Sequence, residues 1–339
     1  MATDAVRVGF LGAGFIATFH SKLLRVSGVA HERTGVYDPD RSRAEAFVAA
    51  AGGYVAGSED EVLESCDAVF ICTWTSDHET QVRRAVEAGV AVFVEKPLST
   101  DLDGARRVTE LLAGTTHQVG LVLRRSPAFG LVESILEEGD RTGRVMSAMF
   151  RDDQVLPTGG RYASAWRADA EKAGSGVLLE HSIHDLDLLD RLLGPVTSVS
   201  GHQRSFHQID GIEDLVVATF ELADGGVATL TTVWHDLPDR NSLRYLEIHC
   251  ERAFISVEED WFGPVRLTID GSTQEWSGDG LLAECERRGI PTLVPEGEFV
   301  VAVAEGRPAT PDASVALRAH VLCDAIYRSA ASGGVPIGV

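Results

Sequence analysis

A short glycine-rich loop near the N-terminus carries the first chemical signal. Gly12 and Gly14 follow a short apolar run and lead, through Phe15 and Ile16, into a helical pattern in which Ala17 is small. The first glycine allows a tight turn, the second lets a pyrophosphate approach the backbone, and the small residue lets the helix pack on the strand. The helix N-terminus then offers N–H groups and a positive dipole end to phosphate. The loop therefore predicts a dinucleotide site.

Asp38 indicates which dinucleotide this loop binds. It comes 21 residues after Ala17, at the end of the second predicted strand. A carboxylate there accepts hydrogen bonds from the ribose hydroxyls of NAD and would repel the 2′-phosphate of NADP. Arg41 and Arg43 lie just beyond it and would instead receive that phosphate. We expect NAD as the cofactor, and NADP stays open.

A lysine after a later strand is the second chemical signal. The apolar run 90–94 leads into Glu95, Lys96 and Pro97, in a chain that contains only three lysines. In an open parallel sheet, ligands bind beyond the carboxyl ends of the strands, which places Lys96 at the cofactor crevice. The alternative is a structural lysine whose stem lies along the sheet. Pro97 also allows a cis peptide bond that would aim the lysine.

The second half of the chain supplies histidines and acids at helical spacing. Residues 177–193 are predicted to form one helix, with Glu180, His184 and Asp187 on one face. A carboxylate one turn from an imidazole orients it and raises its basicity, as a general base near neutral pH requires. We therefore predict that His184, oriented by Glu180, removes an alcohol proton while the carbon loses hydride. Lys96 would stabilise the developing alkoxide.

Two other interpretations of the same helix remain open. His181, His184 and Asp185 could hold a metal ion, with a further ligand from His202, His207 or His235. Their spacing matches no strong metal motif, so we predict no metal. The polar residues of the helix could also be merely solvated or satisfied within the fold.

The elements that position these residues form two halves. Residues 1–125 alternate strands and helices, which is typical of a parallel α/β sheet. With the glycine loop directly after the first strand, this predicts a Rossmann dinucleotide-binding domain. Ser76 with Glu79 is expected to cap a later helix as a capping box. The pattern predicts strands at 6–11, 34–37, 68–73 and 90–94 and a helix at 41–51. It also predicts a first helix after the glycine turn, in which Ile16, Phe19, Leu23 and Val26 follow at helical spacing up to Ser27 and Gly28.

From residue 126 to residue 339 the pattern changes to an α+β domain. Alternating apolar and polar residues with turn signals predict a largely antiparallel open sheet, and Asp224, Gly225 and Gly226 predict a hairpin. A final helix is expected at about 313–331. The predicted strands cover residues 196–200, 215–222, 227–234, 245–249 and 265–269.

Composition excludes several classes of partner. The chain has 339 residues, with 51 Asp or Glu against 30 Lys or Arg, a net charge of −21. Such acidity argues against nucleic acid and against anionic membranes, which attract cationic proteins. Five scattered cysteines without a CxxC pair indicate free thiols in a reducing compartment. No apolar run reaches a membrane-spanning length, and we expect a cytoplasmic protein.

Together these motifs resemble the glucose–fructose oxidoreductase, inositol dehydrogenase and MocA (Gfo/Idh/MocA) family over nearly the whole chain. The glycine loop alone is a weak signal, whereas Glu-Lys-Pro combined with the histidine helix is specific. The resemblance rests on the loop at 12–17, on Cys72 and Thr73 with Ser76 and His78, on Glu95-Lys96-Pro97, on Arg124-Arg125-Ser126-Pro127, on His184-Asp185-Leu186-Asp187, and on Ile326-Tyr327-Arg328-Ser329.

The resemblance implies NAD(P)-dependent hydride transfer at a carbon–oxygen bond of a sugar, inositol or related polyol. It implies catalytic roles for Lys96, His184 and Glu180. The implied cofactor contacts are Gly12, Gly14, Phe15, Ile16, Asp38, Arg43, Thr73, Trp74, Ser76, His78, Glu95 and Lys96. The implied substrate contacts are Arg124, Arg125, Trp166, Arg167, Glu180, His181 and His184.

Two residues depart from the family pattern. Glu180 stands where the family commonly has Asp, and Trp74 stands where it often has Pro. The scaffold also admits a glycosidase or epimerase that uses NAD transiently, or a non-enzymatic NAD sensor. The resemblance further implies a homodimer or homotetramer through the sheet of the second domain. We expect its outer face to carry Val216, Ala218, Phe220, Val227, Thr229 and Thr231.

Overall fold

The computed structural model describes residues 5–158, 164–237, 239–291 and 294–339. The chain forms two compact units. The first comprises Met1–Leu121 and Leu293–Leu317, and the second comprises Val122–Thr292 and Arg318–Val339. Within the described ranges, no helix has both the length and the apolar character needed to cross a membrane.

The first unit is built on a six-stranded parallel sheet of order β3-β2-β1-β4-β5-β6. β4 and β5 are apolar and buried along their whole length, as expected for parallel strands covered on both faces. This doubly wound order confirms the predicted Rossmann fold. Its elements are β1 (Val6–Leu11), α1 (Phe15–Val26), β2 (His31–Tyr37), α2 (Arg41–Ala51), β3 (Tyr54–Val55), α3 (Glu59–Ser65), β4 (Ala68–Ile71), α4 (His78–Glu87), β5 (Ala91–Val94), α5 (Leu102–Leu112) and β6 (His117–Val119).

The predicted first helix is confirmed, and one other local prediction in this unit is wrong. α1 buries Ala17, His20, Ser21 and Leu24, whereas Phe19 and Val26 are exposed. The capping box at Ser76 is absent, because a 3₁₀ turn, Thr75–Asp77, precedes α4 and the Ser76 hydroxyl donates to Asp77.

The second unit is built on a nine-stranded sheet of order β14-β13-β12-β11-β7-β10-β9-β8-β15. Every neighbouring pair is antiparallel except β7 and β10, so the predicted α+β fold is confirmed. The strands are β7 (Val145–Val155), β8 (Val196–Arg204), β9 (Leu215–Leu222), β10 (Val227–His235), β11 (Leu243–Cys250), β12 (Ala253–Val257), β13 (Val265–Ile269), β14 (Ser272–Trp276) and β15 (Ile337–Gly338). The helices of this part of the chain are α6 (Pro127–Leu136), α7 (Gly139–Thr142), α8 (Ala170–Ala173), α9 (Ile183–Leu193) and α10 (Gly278–Arg288).

The hairpin between β9 and β10 is confirmed, with Gly225 in the left-handed region at φ +86°. The prediction for the outer face of β9 is wrong. Val216, Ala218 and Phe220 are buried in the core, and the outward residues of that strand include Val217. Because side chains alternate along a strand, assigning the face one residue out of phase reverses every position.

A late segment returns to the first unit. Helix α11 (Pro295–Glu305) sends Phe299 into the aromatic cluster of that unit, with its ring centroid 5.6 Å from that of Phe70. The Val119 N–H donates to the carbonyl of Pro311 at 2.8 Å. The predicted division into residues 1–125 and 126–339 assigns this late segment to the second domain, whereas the structure has it in the first unit. Helix α12 (Ala313–Ala331) then completes the helices, with the predicted bounds.

The predicted helix at 177–193 is interrupted. Its first turn, Val177–His181, is π-helical: the Ser182 N–H donates to the carbonyl of Val177, five residues back, at 2.9 Å. The α-helix α9 begins at Ile183. The wider turn changes the angular spacing between Glu180 and His184, so the prediction of one continuous regular helix over 177–193 is wrong.

Glu213 holds the start of this π-turn. Its carboxylate accepts the N–H groups of Gly176 and Leu178, at 2.7 and 3.0 Å, and the hydroxyl of Ser175 at 2.8 Å. The Tyr327 hydroxyl of α12 donates to the same carboxylate at 2.9 Å. A Cβ atom on Gly176 would lie 1.9 Å from the carbonyl oxygen of Glu213, so only glycine fits there.

We expect Gly176→Ala to lower the free energy of unfolding by about 2 kcal/mol or more, because the backbone of Glu213 must move away. Urea unfolding measures the change. Gly280→Ala is the matched control, since a Cβ atom there meets nothing within 4 Å and alanine favours the helix. Equal stability of the two variants would contradict the close packing at Gly176.

Candidate active site

The glycine loop has the geometry that a dinucleotide requires. Gly12 has φ +86°, and a Cβ atom there would lie 2.6 Å from the carbonyl oxygen of Cys72. At Gly14, which precedes α1, a Cβ atom would meet nothing within 4 Å, so the backbone is open to a ligand. No side chain caps the start of this twelve-residue helix. These features fit the pyrophosphate of NAD.

Asp38 is fixed beside this loop. One carboxylate oxygen accepts the N–H of Ala13 and the other accepts the N–H of Asp40, each at 2.9 Å. Both nearby arginines face acids: Arg41 pairs with Glu45, and the Arg43 Nε lies 3.5 Å from a carboxylate oxygen of Asp40. The local charge therefore favours ribose hydroxyls over a 2′-phosphate.

The other predicted cofactor contacts of this unit lie near the carboxyl ends of β1 and β4. Phe15, the first residue of α1, is 59% exposed, and Ile16 is half-buried. The Thr73 hydroxyl donates to Gln81 at 2.5 Å. Trp74 is 38% exposed, and Ser76 is exposed beside Asp77. Contact between these residues and a dinucleotide stays a prediction.

The backbone around Lys96 is held from two sides. The Lys96 N–H donates to one carboxylate oxygen of Glu95 at 3.2 Å. His78 is buried, and its Nδ1 donates to the carbonyl of Pro97 at 2.9 Å. Burial lowers the pKa of His78, which favours the neutral ring. The Lys96–Pro97 peptide is cis.

Beneath Glu95 lies a histidine that the sequence reasoning missed. His20 of α1 is fully buried, with its Nε2 2.6 Å from Glu95 and its Nδ1 2.5 Å from Glu296 of α11. Burial opposes protonation of the ring, but the hydrogen bonds that the ring donates to Glu296 and Glu95 outweigh it and raise the pKa of His20 to about 9. Burial would also raise the pKa of Glu95, yet His20 holds it below its usual value. The three side chains therefore form an imidazolium between two carboxylates.

In the second unit, Glu180 is buried and paired with Arg167. The Arg167 Nε donates to Glu180 at 2.7 Å. The Arg167 guanidinium also lies over the ring of Trp166, 5.1 Å from the centroid. Three of the predicted substrate residues are thus gathered in one place. His184 is buried in the first turn of α9, and an orienting role for Glu180 stays a prediction.

His181 belongs to a buried ion cluster around Arg244 of β11. The His181 Nε2 lies 2.9 Å from a carboxylate oxygen of Asp152 and 3.0 Å from a guanidinium nitrogen of Arg244. Arg244 also pairs with Asp185 and Asp260, at 2.7 Å each. Burial and the neighbouring charge of Asp152 raise the pKa of Asp185 to about 7, although Arg244 pulls it down.

Arg124 is held rigidly by one acid. Its guanidinium makes two hydrogen bonds to Asp187, at 2.7 and 2.6 Å. Burial raises the pKa of Asp187, against the opposing effect of Arg124. Arg125 is half-buried in the 3₁₀ turn Val122–Arg125. The structure therefore joins Arg124 to α9, and contact with substrate stays a prediction for both arginines.

The histidines considered as metal ligands have other contacts. His207 Nδ1 lies 2.7 Å from Asp214, and His235 Nδ1 accepts the N–H of Leu237. In the part of the chain that the structure describes, no group of three His, Cys, Asp or Glu side chains is arranged to hold a metal ion.

The chain matches two family models. Residues 6–122 match the model described as an oxidoreductase family with an NAD-binding Rossmann fold, and residues 131–256 match the GFO/IDH/MocA C-terminal domain. The inositol 2-dehydrogenase of Rhizobium meliloti is 30% identical over 343 residues, covering 96% of this chain and 97% of the relative. The chain belongs to the Gfo/Idh/MocA family. It is an oxidoreductase with NAD as its cofactor.

Another relative is similar in sequence to this chain, and two solved structures are similar to it in fold. An inositol 2-dehydrogenase of Cereibacter sphaeroides is 29% identical over 335 residues, covering 96% of this chain and 93% of that protein. A levoglucosan dehydrogenase in complex with NADH and levoglucosan has a TM-score of 0.86 at 20% identity, covering 99% of this chain and 100% of that one. WlbA dehydrogenase of Bordetella pertussis, with NADH and UDP-GlcNAcA, has a TM-score of 0.84 at 23% identity, covering 100% and 99%. At these identities the solved structures show the fold alone.

Sequence signals existed for some of the missed residues. In β7, Asp152 falls on the same face as the buried residues Ala148 and Phe150, and in β11 Arg244 falls on the same face as Leu246. Charged residues at core-facing positions of a strand must find partners, so an opposite pair on two strands is a usable signal. His20 and Glu296 are separated by 276 residues and left no comparable signal.

We expect stability to depend on His20 at alkaline pH. Its pKa is raised from 6.5 to about 9 on folding. A raised pKa stabilises the folded chain fully below pH 6.5, and that contribution is lost as pH rises through 9. The free energy of unfolding should therefore fall more steeply between pH 7 and pH 10 in the native protein than in His20→Asn. Parallel stability curves would contradict a protonated His20.

Proposed function

We propose that this enzyme oxidises a secondary alcohol of an inositol, sugar or related polyol, with NAD as the hydride acceptor, and catalyses the reverse reduction. The observation that carries the proposal is Lys96, placed directly beyond β5 of the NAD-binding sheet and held there by Glu95 and His78. The similarity to inositol 2-dehydrogenases over nearly the whole chain supports an alcohol as the substrate.

Lys96 and His184 are proposed to act on the same hydroxyl group. NAD, when bound, supplies the nicotinamide carbon that takes up the hydride. Lys96 polarises the hydroxyl oxygen and stabilises its negative charge, and His184 takes the proton. Hydride leaves the carbon with both electrons of its bond, so the alcohol becomes a ketone and the proton remains on His184. Glu180 is proposed to orient His184 and to bind hydroxyls.

The hydroxyls of the substrate are proposed to meet the group formed by Trp166, Arg167 and Glu180. The Arg167–Glu180 hydrogen bond fixes the Glu180 carboxylate. The glutamate side chain is one methylene longer than the aspartate common in the family. A fixed carboxylate and guanidinium supply acceptors and donors for vicinal hydroxyl groups. Arg124, Arg125 and His181 are further proposed contacts of the substrate.

The assembly and location are also proposals. Outward-facing Val217 and Met149 are each 41% exposed on the sheet of the second unit, and exposed apolar residues of this kind suit a contact between copies of the chain. We propose a homodimer or homotetramer through that face. The five cysteines are free and buried, which supports a reducing, cytoplasmic location.

We expect His184→Ala and Lys96→Met each to lower kcat by about 10²–10⁴-fold, the range for loss of a proton-transfer or charge-stabilising group. NADH affinity, measured by fluorescence titration, should stay within about threefold. Lys22→Met is the matched control, because Lys22 is an exposed lysine of the same unit. Near-normal turnover in both active-site variants would end the proposal.

We expect a substrate panel to show NADH accumulating over many turnovers with at least one inositol or sugar, and with NAD preferred to NADP. Absorbance of NADH with inositols, aldoses and sugar acids gives kcat/KM for each cofactor. Asp38→Ala should reduce the NAD preference, because it removes the charge that repels a 2′-phosphate. A cofactor that copurifies with the enzyme, so that turnover never needs added NAD, would contradict this assignment. A strong preference of the native enzyme for NADP would also contradict it.

A further inference from the structure

The imidazole of His20 takes no part in the proposed reaction, yet a single side chain connects it to Lys96. We propose that His20 is a positioning residue: acting through Glu95, it holds the backbone of Lys96 in place. The inference rests on the role proposed above for Lys96 and deepens it.

The contacts form a continuous chain to Lys96. His20 Nε2 lies 2.6 Å from one carboxylate oxygen of Glu95, and the other oxygen accepts the Lys96 N–H at 3.2 Å. One residue later, the carbonyl of Pro97 accepts from His78 at 2.9 Å. The backbone on each side of Lys96 is therefore hydrogen-bonded to a buried side chain, Glu95 or His78. His20 contacts the first of these, Glu95.

Close packing restricts the position of the Glu95 carboxylate. The His20 ring lies against Phe93, with centroids 4.9 Å apart, and near Phe70 at 6.1 Å. A Cβ atom on Gly120 would lie 2.4 Å from the same Glu95 oxygen that faces His20. The carboxylate is thus confined between the imidazole and the backbone of Gly120. Displacing it from His20 would also displace its bond to Lys96.

Hydrogen bonding requires an extra proton in this cluster. A neutral imidazole has one donor and one acceptor, whereas an ionised carboxylate only accepts. With Glu95 and Glu296 on its two nitrogens, a neutral His20 would leave one contact without a donor. Protonated His20 donates to both, and this also offsets the cost of burying two negative charges.

The groups that face the cluster are consistent with this charge. Glu95 and Glu296 face His20 directly, and the thiol of Cys72 lies close enough that burial, followed by their charges, raises its pKa. The charge of Lys96 helps to lower the pKa of Glu95 after His20 itself. His20 therefore holds Glu95 as an anion whose second oxygen is available to the Lys96 amide.

Glu296 provides the matched control. It contacts the opposite edge of the same ring, from α11, and lies on no part of the path to Lys96. Glu296→Gln removes a similar buried ion pair and should lower stability. If His20 acts on Lys96, this change should leave kcat within about twofold, whereas His20→Gln should lower kcat about tenfold.

A double-mutant cycle tests the connection. We expect His20→Gln to lower kcat about tenfold with the Kd for NADH within twofold, and to have no further effect on the residual kcat of Lys96→Met. Groups that act as a unit are non-additive in this way, whereas a purely structural defect is additive. If His20→Gln does not fold, Glu95→Gln takes its place in the same cycle.

Additive losses in the double variant would overturn the inference, as would an equal loss of kcat in Glu296→Gln and His20→Gln. Both results leave the proposed function intact. Near-normal turnover in both Lys96→Met and His184→Ala would overturn the proposed function instead, so the two failures are distinguishable.

Discussion

The cost of burying charge is the constraint on which the functional parts of both units depend. A charged side chain can leave water only if opposite charges and hydrogen bonds replace its hydration. In the first unit, His20 meets this requirement between Glu95 and Glu296. In the second, Arg244 meets it among three aspartates. Each cluster joins elements that are far apart in the chain, so the positions of the functional side chains depend on long-range ion pairs.

The two clusters hold different kinds of backbone. His20 connects the helix after the glycine loop, the residue before Lys96 and the returning helix α11. Arg244 connects β7 and β11 to the π-turn and to the first turn of α9, where His181 and Asp185 lie. Ser182, at the junction of the two helical segments, bonds to Thr232 and Asp152. Irregular backbone at functional positions is thus stabilised by buried polar networks, which tolerate few alternative arrangements.

The sequence predicts well those features that depend on local pattern or topology. The strand–turn–helix at Gly12, the hairpin at Gly225 and the strand end at Lys96 follow from turn chemistry and from where ligands bind on parallel sheets. Features set by distant contacts were not predictable. The pattern predicted α1 but gave no sign that His20 is buried, because its partner Glu296 lies on a segment 276 residues away. The π-turn likewise depends on Glu213, which lies outside any helical window.

The buried cysteines form two sets, one in each unit, and the reactivity of each set reports local unfolding of its unit. Cys66 and Cys72 lie in the first unit, and Cys250, Cys285 and Cys323 lie in the second. Burial raises the pKa of all five thiols, so each reacts with an alkylating reagent only after its surroundings open. Timed alkylation followed by peptide mass spectrometry would therefore record the opening rate of each unit separately, in the native sequence and without an added label.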